Sequence, residues 1–67
     1  MVTLTVNGDP RVFESPITLA QLLDRMDLAG KRLAVERNGD IVPRSRFGEL
    51  RLESGDKLEI VVAVGGG

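Results

Sequence analysis

The sequence has no cysteine and no histidine. Without thiols there is no disulfide staple and no thiolate metal site. Without imidazole, the commonest metal ligand and the commonest general base are missing. Zinc hydrolysis, Ser-His or Cys-His nucleophilic catalysis and thiol redox chemistry therefore drop out as functions. Tyrosine and tryptophan are absent too. Phe13 and Phe47 are the whole aromatic content, too little for a base-stacking platform. Nor is there an excess of one charge: nine Lys and Arg against ten Asp and Glu leave −1, which opposes non-specific binding to nucleic acid. No apolar run approaches the roughly 20 residues of a transmembrane helix, and the N-terminus lacks the basic flank and apolar core of a secretory signal. The expectation is a cytoplasmic protein with no membrane and no nucleic-acid partner, monomeric when free. A chain of 67 residues makes one domain with a small core and no room for a deep catalytic pocket.

What is present is β pattern at both ends and one helix between. Val2, Leu4 and Val6 alternate with Thr3 and Thr5, a strand signature. Asn7-Gly8-Asp9-Pro10 is a cluster of turn formers, and Arg11 to Glu14 resumes a short β pattern, so residues 2–14 read as a hairpin. Val12 and Phe13 are adjacent, and only one of them can face the core. Thr18 with Gln21 three residues on predicts a capping box, and Ile17 with Leu22 a hydrophobic staple. Leu19, Leu22, Leu23 and Met26 then form one apolar stripe, which is expected to stop at Gly30 with Lys31 and Arg32 near the negative end of the helix dipole. Leu33 to Arg37 reads as a third strand, Asn38-Gly39 as a hairpin turn and Ile41-Val42 as a short return strand ended by Pro43. Arg44 to Leu50 is irregular, with one helical turn plugging the core through Phe47 and Leu50. Ser54-Gly55-Asp56 is a tight turn into the last strand.

That last strand, Lys57 to Val64, carries the densest β pattern, with Leu58, Ile60, Val62 and Val64 on one face. The order β-β-α-β-β-(turn)-β predicts an α+β fold: a mixed sheet of about five strands with one helix on one face. The first and last strands are the most apolar and are expected to be central neighbours. The uncovered face should carry Val61 beside Thr3 and Thr5, a candidate docking surface.

The domain is expected over residues 1–64, followed by a flexible tail at 65–67, Gly65-Gly66-Gly67. Glycine has no Cβ, so such a tail is thin when threaded into a cleft and floppy when free. From Ala63 it can reach roughly 17 Å at about 3.4 Å per residue. A C-terminal carboxylate, with a pKa of about 3.5, is ionised at neutral pH. Given an enzyme that supplies the site, it can attack the α-phosphate of ATP and form an acyl adenylate, a mixed anhydride open to sulfide, thiolate or amine. Glycine-rich termini also occur as frayed ends. Here the glycines follow the central strand directly, with no Ser or Lys among them, which favours a presented tail.

These features together resemble the ubiquitin-like β-grasp fold and, within it, the ThiS family of sulfur carriers for thiamine biosynthesis. The resemblance runs from Val2-Thr3-Leu4-Thr5-Val6-Asn7-Gly8 to the end of the chain. Its most specific segment is Ala34-Val35-Glu36-Arg37-Asn38-Gly39-Asp40-Ile41-Val42-Pro43-Arg44-Ser45, joined by Ser54-Gly55-Asp56-Lys57-Leu58-Glu59-Ile60 and Ala63-Val64-Gly65-Gly66-Gly67. Many relatives end in Ala-Gly-Gly; this chain ends in three glycines and keeps the last pair. The resemblance implies no catalytic residue, no metal and no bound cofactor. It implies that a ThiF-like, E1-like adenylyltransferase activates Gly67 with Mg-ATP, and that sulfur from a cysteine desulfurase then converts Gly67 to a thiocarboxylate. A ThiG-like thiazole synthase takes that sulfur. Gly65 and Gly66 would supply reach, with Val61 and Phe13 as candidate partner contacts, although Phe13 reads first as ordinary core.

Two other functions share these features. One is the small sulfur-carrier subunit of molybdopterin synthase, which tends to be longer, with aromatic and proline residues before the tail. The other is a non-catalytic β-grasp binding module or a ubiquitin-like modifier. Arg44 and Arg46 read first as a solvated loop, with the steering of an acidic partner as the functional alternative. Asp24, Asp27, Glu36 and Asp40 match no metal-site spacing; a solvated helix face and a hairpin turn account for them.

Overall fold

A computed structural model describes residues 1–63 of the chain. It contains strands β1 (Val2–Val6), β2 (Asp9–Phe13), β3 (Leu33–Arg37), β4 (Asp40–Val42) and β5 (Lys57–Val62). Helix α1 (Leu19–Arg25) follows β2, and one 3-10 turn (Arg44–Arg46) follows β4. The expected tail at 65–67, with the boundary at residue 64, lies outside the described residues.

Both hairpins turn on an Asn-Gly pair with positive φ at each residue: +50° and +85° at Asn7-Gly8, +52° and +89° at Asn38-Gly39. This is the geometry whose twist matches that of the flanking strands. Asn tolerates the left-handed region and Gly adopts it without steric cost. The first hairpin pairs Val2 with Phe13 and Val6 with Asp9. That register settles the second strand. Phe13 turns to the helix side with Val2, and Val12 points outward at 56% exposure.

The start of α1 forms as its sequence predicts. The Gln21 N–H donates to the Thr18 hydroxyl at 3.2 Å, and the Thr18 N–H donates to the Gln21 side-chain oxygen at 2.8 Å. Ile17 and Leu22, the staple pair, are both buried, as are Leu19 and Leu23. The next two helix N–H groups are also met: Leu19 donates to the Leu50 carbonyl and Ala20 to the Phe47 carbonyl, each at 2.9 Å. The segment after the 3-10 turn thus caps the helix while Phe47 and Leu50 pack on the core.

The helix stop differs from expectation. It falls at Met26, not at Gly30. Asp27 takes φ +61°, its N–H bonds to the Asp24 carbonyl at 3.1 Å, and the Leu28 N–H bonds to the Leu23 carbonyl at 2.8 Å, a Schellman motif. Leu28 packs against the core, and this tertiary contact turns the chain a turn early. Gly30, at φ +82°, serves the next turn instead. Lys31 and Arg32 therefore sit beyond the helix, and Arg25 is the basic residue of its last turn.

The sheet order is β2-β1-β5-β3-β4, with β1 and β5 parallel. The first and last strands are neighbours, as their apolar pattern predicts, and β5 is the middle strand. Val2, Leu4, Val6, Val35, Leu58 and Ile60 meet the buried face of α1, with Leu4, Leu19 and Leu22 at 0% exposure. Leu52, at 1% exposure, closes the core from the loop before β5. The arrangement is an α+β, ubiquitin-like β-grasp.

Candidate functional site at the end of the central strand

β5 leads to the terminal glycines, and the fold grips it from both sides. Against β3 it runs antiparallel from Arg37–Leu58 to Leu33–Val62. The pairing continues in a hydrogen bond from the Ala63 N–H to the Arg32 carbonyl at 2.9 Å. Against β1 the parallel register covers only Thr5–Lys57 and Val6–Leu58. Asn7 extends this shorter edge. Its backbone N–H donates to the Leu58 carbonyl at 2.8 Å. Its side chain accepts from the Ile60 N–H at 2.7 Å and donates to the Ile60 carbonyl at 3.1 Å.

The entry to β5 is held by charge. Asp56 is 6% exposed. Its carboxylate accepts from the Glu53 N–H at 2.8 Å, the Arg37 Nε at 3.0 Å and the Asn38 amide at 3.1 Å. Burial pushes the Asp56 carboxyl up, but these hydrogen bonds and the Arg37 charge together outweigh it and hold its pKa below the usual carboxylate value. Asn38 also accepts from the Lys57 N–H at 2.9 Å and donates its own N–H to the Lys57 carbonyl at 2.8 Å. Arg37 reaches Glu53 at 3.4 Å. Sequence reasoning places Asn7, Asn38 and Asp56 in turns and Arg37 at a strand end, and assigns their side chains no role. The two Asn-Gly pairs were the available signal, but they speak of turns and not of what the side chains hold.

Val61 lies on the sheet face away from the helix, 67% exposed and opposite Ala34. It is not beside Thr3 and Thr5, the neighbours that the strand pattern predicts. Thr5 pairs with Lys57, four residues earlier on β5, because β1 turns away just where β5 continues. Phe13 is half-buried on the opposite, helix-covered side, packed against the core with the Arg25 guanidinium 5.6 Å from its ring centroid. Val61 and Phe13 therefore do not share a surface. Gly65, Gly66 and Gly67 lie outside the described residues.

A shallow cleft of about 230 Å³ opens at the β4 edge, lined in part by Arg37, Asp40, Ile41 and Arg46. Among the described residues no group of three or more His, Cys, Asp or Glu side chains is placed to hold a metal. No helix among them is long and apolar enough to cross a membrane.

Comparison with known proteins adds the family. The sulfur carrier protein ThiS of Bacillus subtilis is 42% identical over 65 residues, which is 96% of this chain and 98% of that protein. A thiazole synthase of Paramagnetospirillum magneticum is also 42% identical, over 64 residues that make up 96% of this chain but 20% of the relative. The chain thus spans about a fifth of the length of that relative. The crystal structure of the thiamine biosynthesis protein ThiS from Geobacter metallireducens superposes with a TM-score of 0.82 at 30% identity, covering 98% of this chain and 100% of the other. Residues 4–67 match the ThiS family; the match takes in the helix, most of β1, the grip on β5 and the terminal glycines, and the chain belongs to that family.

Proposed function

We propose that the chain is a sulfur carrier in thiamine biosynthesis, a protein cosubstrate and not an enzyme, loaded at the carboxyl group of Gly67. The observation that carries this reading is the family match, which extends through Gly67. In this reading an E1-like, ThiF-like adenylyltransferase binds the tail with Mg-ATP. The Gly67 carboxylate, ionised at neutral pH, attacks the α-phosphorus. Pyrophosphate leaves and an acyl adenylate forms. The terminal sulfur of a persulfide formed at a cysteine desulfurase attacks the acyl carbon and AMP leaves. A thiol reductant then cleaves the acyl disulfide to the thiocarboxylate, and a ThiG-like thiazole synthase receives that sulfur while oxygen from water or from the sulfur acceptor restores the carboxylate. Gly65 and Gly66 present no side chain to the walls of an active site. The exposed outer face around Val61 suits partner contact, with Phe13 as a further candidate.

The test is intact-mass spectrometry of the full chain after incubation with Mg-ATP, cysteine and an extract of the organism that encodes it. The expected result is a gain equal to one sulfur replacing one oxygen, confined to the C-terminal peptide and lost when Gly67 is deleted. No gain, in an extract that loads a control carrier, overturns the reading in favour of a binding module.

A further inference from the structure

Three cations gather where β5 finishes. The Ala63 N–H bonds to the Arg32 carbonyl at 2.9 Å, so Arg32 stands beside the last described residue of the strand. Lys31 precedes it. Arg44, just past the end of β4, donates from its guanidinium to the Lys31 carbonyl at 3.3 Å. Lys31, Arg32 and Arg44 thus occupy adjoining strand ends, and all three are exposed. Among the described residues, both ion pairs within 4.0 Å belong to Arg37, and neither involves these three cations.

The surface next to these cations is apolar. The register of β3 and β5 puts Ala34 opposite Val61, and strand alternation brings Arg32 and Ala63 to that same outer face. All four are exposed. A small apolar contact bordered by charge is the anatomy of a protein interface. A polyanion such as nucleic acid fits it poorly. Glu36 and Glu59 stand opposite each other on the same face, roughly 7 Å further along the strands.

We propose that Lys31, Arg32 and Arg44 form a cationic rim that docks on carboxylates of the enzyme that activates the terminal glycine, with Val61, Ala34 and Ala63 as the apolar contact inside that rim. The inference rests on the sulfur-carrier reading and deepens it. The rim lies at the root of the tail, so its attraction acts where the tail must be aimed. Charges at an interface edge mainly raise the association rate and fix orientation; the rim therefore sets how well the carrier is captured, and the chemistry at Gly67 is left unchanged.

The experiment is ATP–pyrophosphate exchange by the ThiF-like adenylyltransferase of the organism that encodes this chain, with the full chain as the varied substrate. The variant Lys31→Gln, Arg32→Gln, Arg44→Gln should raise the KM for the carrier about tenfold and leave kcat within about twofold. The variant Arg32→Lys, Arg44→Lys should stay close to wild type. Arg11→Gln, which removes a charge from the edge strand β2, should do the same. The wild-type KM should rise with salt, and the neutralised variant should respond less. An unchanged KM in the neutralised variant, an equal loss in Arg11→Gln, or a salt-insensitive wild type overturns the inference while leaving the sulfur-carrier reading intact. Absence of exchange with the wild-type chain overturns the reading itself, and the inference with it.

Discussion

Asn7 and Ile60, 53 positions apart, pair as if they were opposite residues of neighbouring strands. The Ile60 N–H donates to Asn7 Oδ1 at 2.7 Å, and Asn7 Nδ2 donates to the Ile60 carbonyl at 3.1 Å. β1 ends at Val6, and the side-chain amide continues its ladder one step further. On the other side of β5, Asn38 treats Lys57 in a similar way, through its own N–H and its side-chain oxygen. Each hairpin thus spends the asparagine of its turn on the central strand, and the strand that leads to the glycines is fixed along edges its neighbours do not fully cover.

Asn7→Gly keeps the left-handed backbone available and removes both side-chain bonds. A loss of about 2 kcal/mol is expected by urea denaturation, on the basis of about 1 kcal/mol for each bond. Asn7→Ala should lose about 1 kcal/mol more, because alanine at φ +50° is strained. Equal stability of Asn7→Gly and wild type would show that the pairing contributes nothing.

Asp56→Asn should cost about 2 kcal/mol at neutral pH, since the charge-assisted bonds to Arg37 and the Glu53 N–H are weakened. The folded-state pKa of Asp56 is depressed, so its stabilising contribution is complete above the unfolded value of about 3.9. It is lost as the pH falls from there through the lower folded value. The gap between wild type and Asp56→Asn, measured by urea denaturation, should therefore shrink below about pH 4. A gap that stays constant to pH 2.5 would contradict the assignment.

Leu52→Ala is expected to cost about 3 kcal/mol, against a total of about 5 kcal/mol for a domain of this size. Leu52 is 1% exposed and its N–H bonds to the Ile17 carbonyl at 2.9 Å. It therefore joins the last loop to the start of α1. A loss under about 1 kcal/mol in a denaturant titration would mean that the site collapses around the cavity.

Val61→Ser should leave thermal stability within about 1 kcal/mol, because the side chain is 67% exposed. Its expected effect is on capture: a higher KM for the carrier in pyrophosphate exchange. Unchanged kinetics would remove Val61 from the partner surface.

A single residue appended after Gly67 should abolish sulfur loading and leave the unfolding curve unchanged, because in the proposed chemistry the reacting group is the terminal carboxylate. Loading that survives the extension, read by intact mass, would favour a binding module.

Short-range physics was legible in the sequence. The alternation of Val2, Leu4 and Val6, the Thr18–Gln21 box and both Asn-Gly turns follow from dihedral preference, spacing or local hydrogen bonding, and the apolar content of the first and last strands marked them as central neighbours. The proposal that the tail threads into a partner also starts from the sequence, because Gly65, Gly66 and Gly67 carry no side chain. What only the tertiary structure decided depends on contacts between distant segments. Packing of Leu28 ended the helix at Met26. The pairing of Val2 with Phe13 chose between two adjacent apolar residues. The short overlap of β1 with β5 moved Val61 away from the threonines and left Asn7 to finish the edge. Burial of Asp56 among Arg37, Asn38 and Glu53 joined three elements that have no common local pattern. Periodicity assigns each residue a face within its own strand, but register across strands is set by the whole sheet at once, and register decides which faces meet.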